Sequence, residues 1–316
     1  MIHDLENVRR LGKTLRENLM RCAEDPDVDP VHDTRTGTRR LQATLEDVVR
    51  GVPDGGDDPV RDAVTATMKL LKKIRHEAGP VRDLDVHRKL LEKLTRRAVG
   101  VDGDVLETPE TELRPTAVEQ QADDLDARLK HRRSELAEGL KADAKDFAEK
   151  LDKRMEDLEA ALTARRARRV RKKPAGVVAL DSFARLASEM QVLDAGNLHD
   201  FRKGAKKARY VAELAAQGDE QAQQVGETLK KLQDEIGDWH DWLVLAEEAH
   251  AALGDGAAEL AALVEGERER HFVAAMKMAA KLRGRLMGEW LAVSGRPAAT
   301  NGVRKRAVGQ SRNVAL

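Results

Sequence analysis

The sequence at residues 32–40, HDTRTGTRR, returns with the same spacing at residues 199–207, HDFRKGAKK. Both stretches fit the pattern His-Asp-x-Arg-x-Gly-x-basic-basic. A second pair of blocks follows in the same order, because residues 72–83 and 230–241 share two lysines, an aliphatic residue, a glycine and an aspartate at matching positions. Agreement at this many positions predicts an internal duplication of one structural unit.

The stretches at residues 32–40 and 199–207 each form a basic stripe when they are placed on an α-helix at about 100° per residue. Arg35 and Arg39 fall close to His32 on the wheel, whereas Leu41 and Leu45 fall on the opposite arc. The second copy distributes its basic residues and its small apolar residues in the same way. The stripe contains almost no acid, although a surface helix selected for stability usually interleaves Glu with Lys. The pattern predicts basic side chains at the edge of a groove between helices.

The composition favours an all-α fold. Ala, Leu, Glu, Lys and Arg dominate the sequence, and these residues are strong helix formers. Aromatic residues make up only 3% of the chain, which is low for a β-sandwich or barrel. Hydrophobic residues make up 41%, so the chain can bury a substantial core.

Apolar periodicity, together with Gly and Pro as breakers, predicts ten helices. The pair Gly79-Pro80 is interpreted as the end of the third helix, and Gly237 as a break between the eighth and ninth. The last residues, 294–316, are predicted to form a disordered tail. The predicted helices cover residues 4–23, 31–50, 60–78, 83–99, 116–170, 178–192, 198–217, 221–236, 239–253 and 257–292.

The overall charge gives no indication of a polyanion ligand, since 56 basic residues balance 56 acidic ones. Any such binding would have to come from local clustering of cations. The single cysteine excludes an intrachain disulfide. The chain also lacks an apolar stretch of membrane-spanning length and a signal-peptide pattern, so we expect a soluble cytoplasmic protein.

Four motifs in this order, at residues 31–41, 79–86, 198–210 and 232–241, resemble the CHAD family, the conserved-histidine α-helical domain. The resemblance covers nearly the whole chain before the tail. It implies two helical bundles related by a pseudo-two-fold axis, with a basic groove between them, here as repeats at residues 1–175 and 176–293. It also implies binding of inorganic polyphosphate, in some members at polyphosphate granules, without catalysis.

The candidate ligand-binding residues are the basic side chains of the four blocks. His32 and His199 face the stripes, where an imidazole could donate to a phosphate oxygen or serve a structural role as a cap. No metal-binding carboxylate cluster and no nucleophile with its base are recognisable, so no catalytic residue, metal or cofactor is predicted. The candidates are His32, Arg35, Arg39, Arg40, Lys72, Lys73, Arg82, His199, Arg202, Lys203, Lys206, Lys207, Arg209, Lys230 and Lys231.

Other functions stay open at this point. Basic helices attract a nucleic-acid backbone or any polyanion, but no aromatic lies on the stripe itself and Tyr210 lies only beside it. A phosphoester hydrolase would use His32 or His199 as a general acid, and a helical scaffold would not need the basic residues. The basic run at residues 165–173 is a second anion contact or, as we favour, a solvated helix end. Protein partners cannot be inferred from the sequence.

Overall fold

A computed structural model describes residues 2–50, 52, 58–100, 115–164, 174–213, 219–253 and 258–294. These ranges hold eight α-helices and no β-strand, which confirms the predicted all-α fold. The predicted tail, apart from Ser294, and the basic run at 165–173 lie outside the described residues. The helices are α1 (Ile2–Glu24), α2 (Val28–Arg50), α3 (Pro59–Ala98), α4 (Pro115–Ala164), α5 (Ala175–Glu189), α6 (Leu198–Glu213), α7 (Glu220–Leu253) and α8 (Ala258–Ser294).

The helices pack in two groups that share one order of contacts. In the first group α1 packs on α2 and α4, and α3 packs on α2 and α4. In the second group α5 packs on α6 and α8, and α7 packs on α6 and α8. The predicted boundary between residues 175 and 176 falls in the first turn of α5, and the division into two repeats stays a prediction.

Each group has its own apolar core, and a third core joins the two groups. Leu15, Leu41 and Leu151 belong to the first core, and Phe183 and Phe201 belong to the second. The third core combines the C-terminal parts of α3 and α7 with the N-terminal parts of α4 and α8. This shared core fixes the groups relative to each other, with α2 against α6 and α3 against α7.

The predicted end of a helix at Gly79-Pro80 is wrong, because α3 continues through Pro80 as one helix of 40 residues. A proline inside a helix costs about 3 kcal/mol, mainly through a lost hydrogen bond and a steric clash. Here the preceding residue is a glycine, which lacks the Cβ that would crowd the proline ring. Ile74 and Val81, on either side, are fully buried, so tertiary packing offsets the cost.

The predicted break at Gly237 is also wrong, since α7 is one helix of 34 residues. Ile236 and Trp239 beside it are almost fully buried, and their packing holds the helix together. In addition, α2 begins at Val28 rather than near Val31. Pro30 is tolerated there because the first turn of a helix does not use its backbone N–H groups.

Candidate polyanion-binding site

Basic side chains from α2, α3 and α6 converge where the two helical groups meet. Arg35 and Arg39 of α2 interact electrostatically with Arg202 and Lys206 of α6, and Arg75 of α3 also acts on Arg39. These five residues are called the central cation cluster below. The sequence predicted four of them, and the fold brings both predicted stripes to one place.

The surroundings of Lys206 strongly disfavour the charged form of its ammonium group. Burial lowers the pKa of Lys206 to about 6, and the neighbouring charges of Arg202, Arg39 and Arg35 act in the same direction. The four neighbouring charges with the largest effect on it are all cations. A partly buried lysine surrounded by arginines favours the neutral amine until an anion arrives.

The charged forms of the neighbouring arginines are also disfavoured by their surroundings. Burial lowers the pKa of Arg39, and repulsion from Arg35 adds to it. Burial likewise lowers the pKa of Arg75 and that of Arg202. Arginine keeps its proton in proteins under all ordinary conditions, so the cluster holds several fixed positive charges at close range.

Arg35 is anchored to the neighbouring helix α3. Its Nη1 donates to the carbonyl oxygen of Gly79 at 3.5 Å and forms an ion pair with Asp83. The side chain is 23% exposed. Because one nitrogen makes both contacts, Nε and Nη2 keep donors for a ligand.

Arg202 is anchored to α7 in a closely related way. Its Nε donates to the carbonyl oxygen of Gln233 at 3.1 Å. The guanidinium then lies over Gly237, where a Cβ would come within 3.0 Å of Arg202 Cζ. Gly237 therefore provides the space in which the guanidinium packs against the helix. The sequence had assigned this glycine to a helix end.

The predicted histidines occupy one end of the site in two different arrangements. Arg82 Nε donates to His32 Nδ1 at 3.3 Å, so these two candidates lie side by side. His199 packs on His240 of α7, with 4.0 Å between the ring centroids. Burial lowers the pKa of His199 and lowers that of His240 to about 4, with nearby cations acting in the same direction. Both rings of this second pair favour the neutral form in the free protein.

Two aspartates at equivalent positions of the blocks lie beside the cluster. Asp83 pairs with Arg35, and Asp241 lies close enough to Arg202 for each to shift the pKa of the other. Burial raises the pKa of Asp241 to about 6, and Asp83 adds to this effect while Arg202 opposes it. Both aspartates lie inside continuous helices, so neither caps a helix end.

Arg209 lies at the edge of the cluster. It adds to the positive charge around Lys206, pairs with Glu213 at 3.1 Å, and has its guanidinium carbon 4.9 Å from the centroid of the Tyr210 ring. Tyr210 in turn interacts electrostatically with Arg39. The tyrosine beside the predicted stripe is thus part of the site.

The other predicted residues lie on exposed surface. Lys203 pairs with Asp200 at 2.5 Å, and Lys230 pairs with Asp234 at 2.9 Å. Lys73 lines a separate cavity of about 990 Å³ between α3 and α4. The exposed candidates are Arg40, Lys72, Lys73, Lys203, Lys207, Lys230 and Lys231.

Arg75 was missed by the sequence analysis, although a signal was present. It precedes Arg82 by two helical turns and therefore shares its face of α3. Arg75 does not belong to the repeated pattern, because its counterpart in the second copy is Gln233. Nη1 of Arg75 and Nη1 of Arg82 are buried without a hydrogen-bond partner among the described residues. Such donors are the ones that a bound anion would satisfy.

No group of three or more His, Cys, Asp or Glu side chains that could hold a metal ion is found in the described ranges. Within those ranges, no helix is long and apolar enough to span a bilayer. The central cation cluster offers cationic hydrogen-bond donors that can contact the oxygen atoms of an anion.

The family model described as the CHAD domain matches residues 8–250 of this chain. The crystal structure of the CHAD domain from the plant Ricinus communis is similar, with a TM-score of 0.53 and 18% sequence identity. That match covers 91% of this chain and 90% of the plant chain. At this identity it shows the shared fold alone. No curated protein matches the sequence.

Proposed function

This chain belongs to the CHAD domain family, and we propose that it binds inorganic polyphosphate at the central cation cluster without catalysing a reaction. One observation carries the proposal: cations from α2 and α6 meet around Lys206, and the four neighbouring charges with the largest effect on it are all positive. A stability-driven interface would pair these charges. An arrangement that leaves them together is suited to a ligand that supplies the negative charge.

A bound polyanion would relieve the electrostatic cost of the free protein. Phosphate oxygens beside Lys206 would favour its ammonium form, and they would also accept from the unpartnered nitrogens of Arg75 and Arg82. The favourable free energy is therefore spread over several charge-assisted hydrogen bonds. This is the pattern expected for a long chain of repeating anionic units.

Polyphosphate fits this chemistry better than a nucleic acid. It carries about one negative charge per phosphate and no bases, and Arg and Lys contact phosphate oxygens without reading a sequence. Binding of single-stranded nucleic acid usually adds several aromatic platforms for the bases. Tyr210 is the single tyrosine of the chain, and its ring already contacts Arg209. General polyanion or nucleic-acid binding is the alternative.

The proposal extends to location. A cytoplasmic protein with such a site would meet polyphosphate where that polymer accumulates, and polyphosphate granules are the proposed place of action. Co-localisation of the tagged chain with stained granules, and its loss in the binding-deficient variant described next, would test this.

The experiment measures binding of long-chain polyphosphate, RNA and heparin at matched charge concentration and about 150 mM salt, where weak electrostatic binding is suppressed. Arg35→Ala/Arg202→Ala removes the central arginine of each copy. Each lost charge-assisted contact is worth roughly 1.5–3 kcal/mol, so for two contacts we expect a loss of polyphosphate affinity of more than about 100-fold.

Lys69→Ala/Lys153→Ala is the matched control, because it also removes two positive charges but from the cavity between α3 and α4. We expect this control to bind polyphosphate as the wild type does, apart from a small general effect of charge. Equal affinity for all three polyanions, or equal losses in the two double variants, would contradict binding at the central cluster.

A further inference from the structure

We propose that Asp83 and Asp241 are internal counter-anions that compete with the ligand for Arg35 and Arg202, and that they thereby select long phosphate chains over short ones. This inference rests on the proposed function. It adds two specificity-determining residues of negative charge to a site that was predicted from its positive charges alone.

Asp83 is in direct contact with Arg35. Its carboxylate forms an ion pair with Arg35 Nη1, and its side chain is 50% exposed, so it reaches Arg35 from the solvent-accessible side. Arg35 is less exposed, at 23%. An anion that approaches Arg35 from solvent therefore meets the carboxylate of Asp83 as it arrives.

Asp241 stands at the equivalent position of the other copy and interacts electrostatically with Arg202. Asp83 and Asp241 occupy equivalent positions after the glycines of their blocks, and they are near enough to raise the proton affinity of Asp241. Asp241 also carries the leading favourable charge interaction of Arg202. Two carboxylates thus lie at the centre of the site, each with one arginine.

The cations farther along α2 and α6 differ in this respect. Among the charge interactions with the largest effect on the pKa values of Lys206 and Arg39, those that lower them come from other cations and none comes from an aspartate. The site therefore has a centre where acids occupy the arginines and a flank where cations await an anion. An anion at the flank meets less repulsion than one at the centre.

Chain length determines how strongly a ligand experiences this difference. A short phosphate can use only a few cations at a time, so it must either displace the aspartates or bind with few contacts. A long chain can keep its many contacts along the flank where the carboxylates repel it at the centre, so it loses only a small part of its binding free energy. The aspartates thus weaken every ligand, but they weaken short ones most.

The test uses the full chain and calorimetric titration with orthophosphate, tripolyphosphate and long-chain polyphosphate. We expect Asp83→Asn/Asp241→Asn to bind tripolyphosphate roughly tenfold more tightly than the wild type, with a smaller gain for the long chain, because a like charge has been removed from the site. Asp83→Glu keeps the charge and should keep the preference of the wild type for long chains.

Asp33→Asn/Asp152→Asn is the matched control for net charge, since each of these aspartates also pairs with an arginine, Asp33 with Arg21 at 3.1 Å and Asp152 with Arg16 at 2.7 Å, but neither pairs with an arginine of the central cation cluster. An equal gain in this control would overturn the inference. Weaker or unchanged tripolyphosphate binding by Asp83→Asn/Asp241→Asn, with an unchanged thermal unfolding curve, would also overturn it and would make the aspartates positioning residues. If the wild type bound no phosphate chain of any length, the proposed function would fail together with this inference.

Discussion

The two copies of the basic block differ in how they hold their charges. In α2, Arg39 is followed by the exposed Arg40, and Arg35 has an acidic partner in Asp83. In α6, the residue equivalent to Arg39 is Lys206, a buried lysine surrounded by cations. The first copy therefore keeps its charges permanently, whereas the second copy contains one cation that can release its proton.

The partner helices differ as well. Arg75 of α3 corresponds to Gln233 of α7, whose backbone carbonyl anchors Arg202. Gly79 has open space where a Cβ would be, whereas Gly237 lies directly under Arg202. Matching sequences thus produce one open half-site and one closely packed half-site. Equivalent positions of a repeat therefore need not have the same role once they face each other across an interface.

The largest effect expected from this difference is a pH dependence of binding that comes from the second copy. Lys206 has a pKa of about 6 in the free protein, and a bound polyanion raises it, so the complex holds more protons above pH 6. Affinity should therefore fall as the pH rises from 6 to 8, by at most about tenfold per pH unit.

Polyphosphate titrations at pH 6, 7 and 8 would measure this slope. Lys206→Arg makes the second copy resemble Arg39 of the first, and a guanidinium stays charged throughout this range. This variant should lose most of the slope and keep only the part due to His199, His240 and Asp241, whose carboxyl also loses its proton above its pKa of about 6. Identical slopes for the wild type and Lys206→Arg would show that Lys206 does not take up the proton.

A smaller effect should separate the two glycines. Gly237→Ala places a Cβ against the guanidinium of Arg202, which must move and thereby weakens polyphosphate binding. Because the guanidinium is the far end of a flexible side chain, we expect the free energy of unfolding to change by less than about 1 kcal/mol. Gly79→Ala meets no atom within 4 Å apart from its chain neighbours, but its Cβ crowds the ring of Pro80, so the helix gain of roughly 0.5–1 kcal/mol is offset and binding should be unchanged.

Polyphosphate titration and urea unfolding of both variants check this pair of outcomes. If Gly237→Ala bound polyphosphate as the wild type does, the close packing of Arg202 on α7 would be wrong. If Gly79→Ala weakened binding by the same factor, the space beside Gly79 would be filled in solution.

The smallest expected effect concerns the stability of the free protein. The folded-state pKa of Lys206, about 6, lies below the usual lysine value of about 10.4. The unfolded state therefore binds more protons between these values, and stability should rise with pH across that window. Lys206→Met should remove this rise and stabilise the free protein near pH 7 by about 1 kcal/mol.

Lys207→Met is the control for that measurement, because Lys207 is exposed on the same helix. We expect a change within about 0.5 kcal/mol, as for most surface substitutions. Equal unfolding midpoints of the two variants at pH 6, 7 and 9 would contradict the strained state of Lys206.

The sequence predicted much of the fold and part of the site. Helix periodicity located every one of the eight helices, and the repeat located Arg35, Arg39, Arg202 and Lys206. The two false breaks, at Gly79 and Gly237, arose because glycine and proline were judged by local preference, whereas packing on both sides keeps α3 and α7 continuous. The exposed lysines were included because a block comparison cannot tell which side of a helix faces the partner.

What the sequence by itself determined is the helical class, the repeated basic blocks and the set of cations available for binding. These follow from residue type and spacing, which act along a single helix. Only the tertiary structure decided which cations meet, since that depends on α2 lying against α6 and α3 against α7. Burial and proximity of charge then shift the pKa of Lys206 and pair Asp83 with Arg35. These properties arise between helices, and no single stretch of sequence contains them.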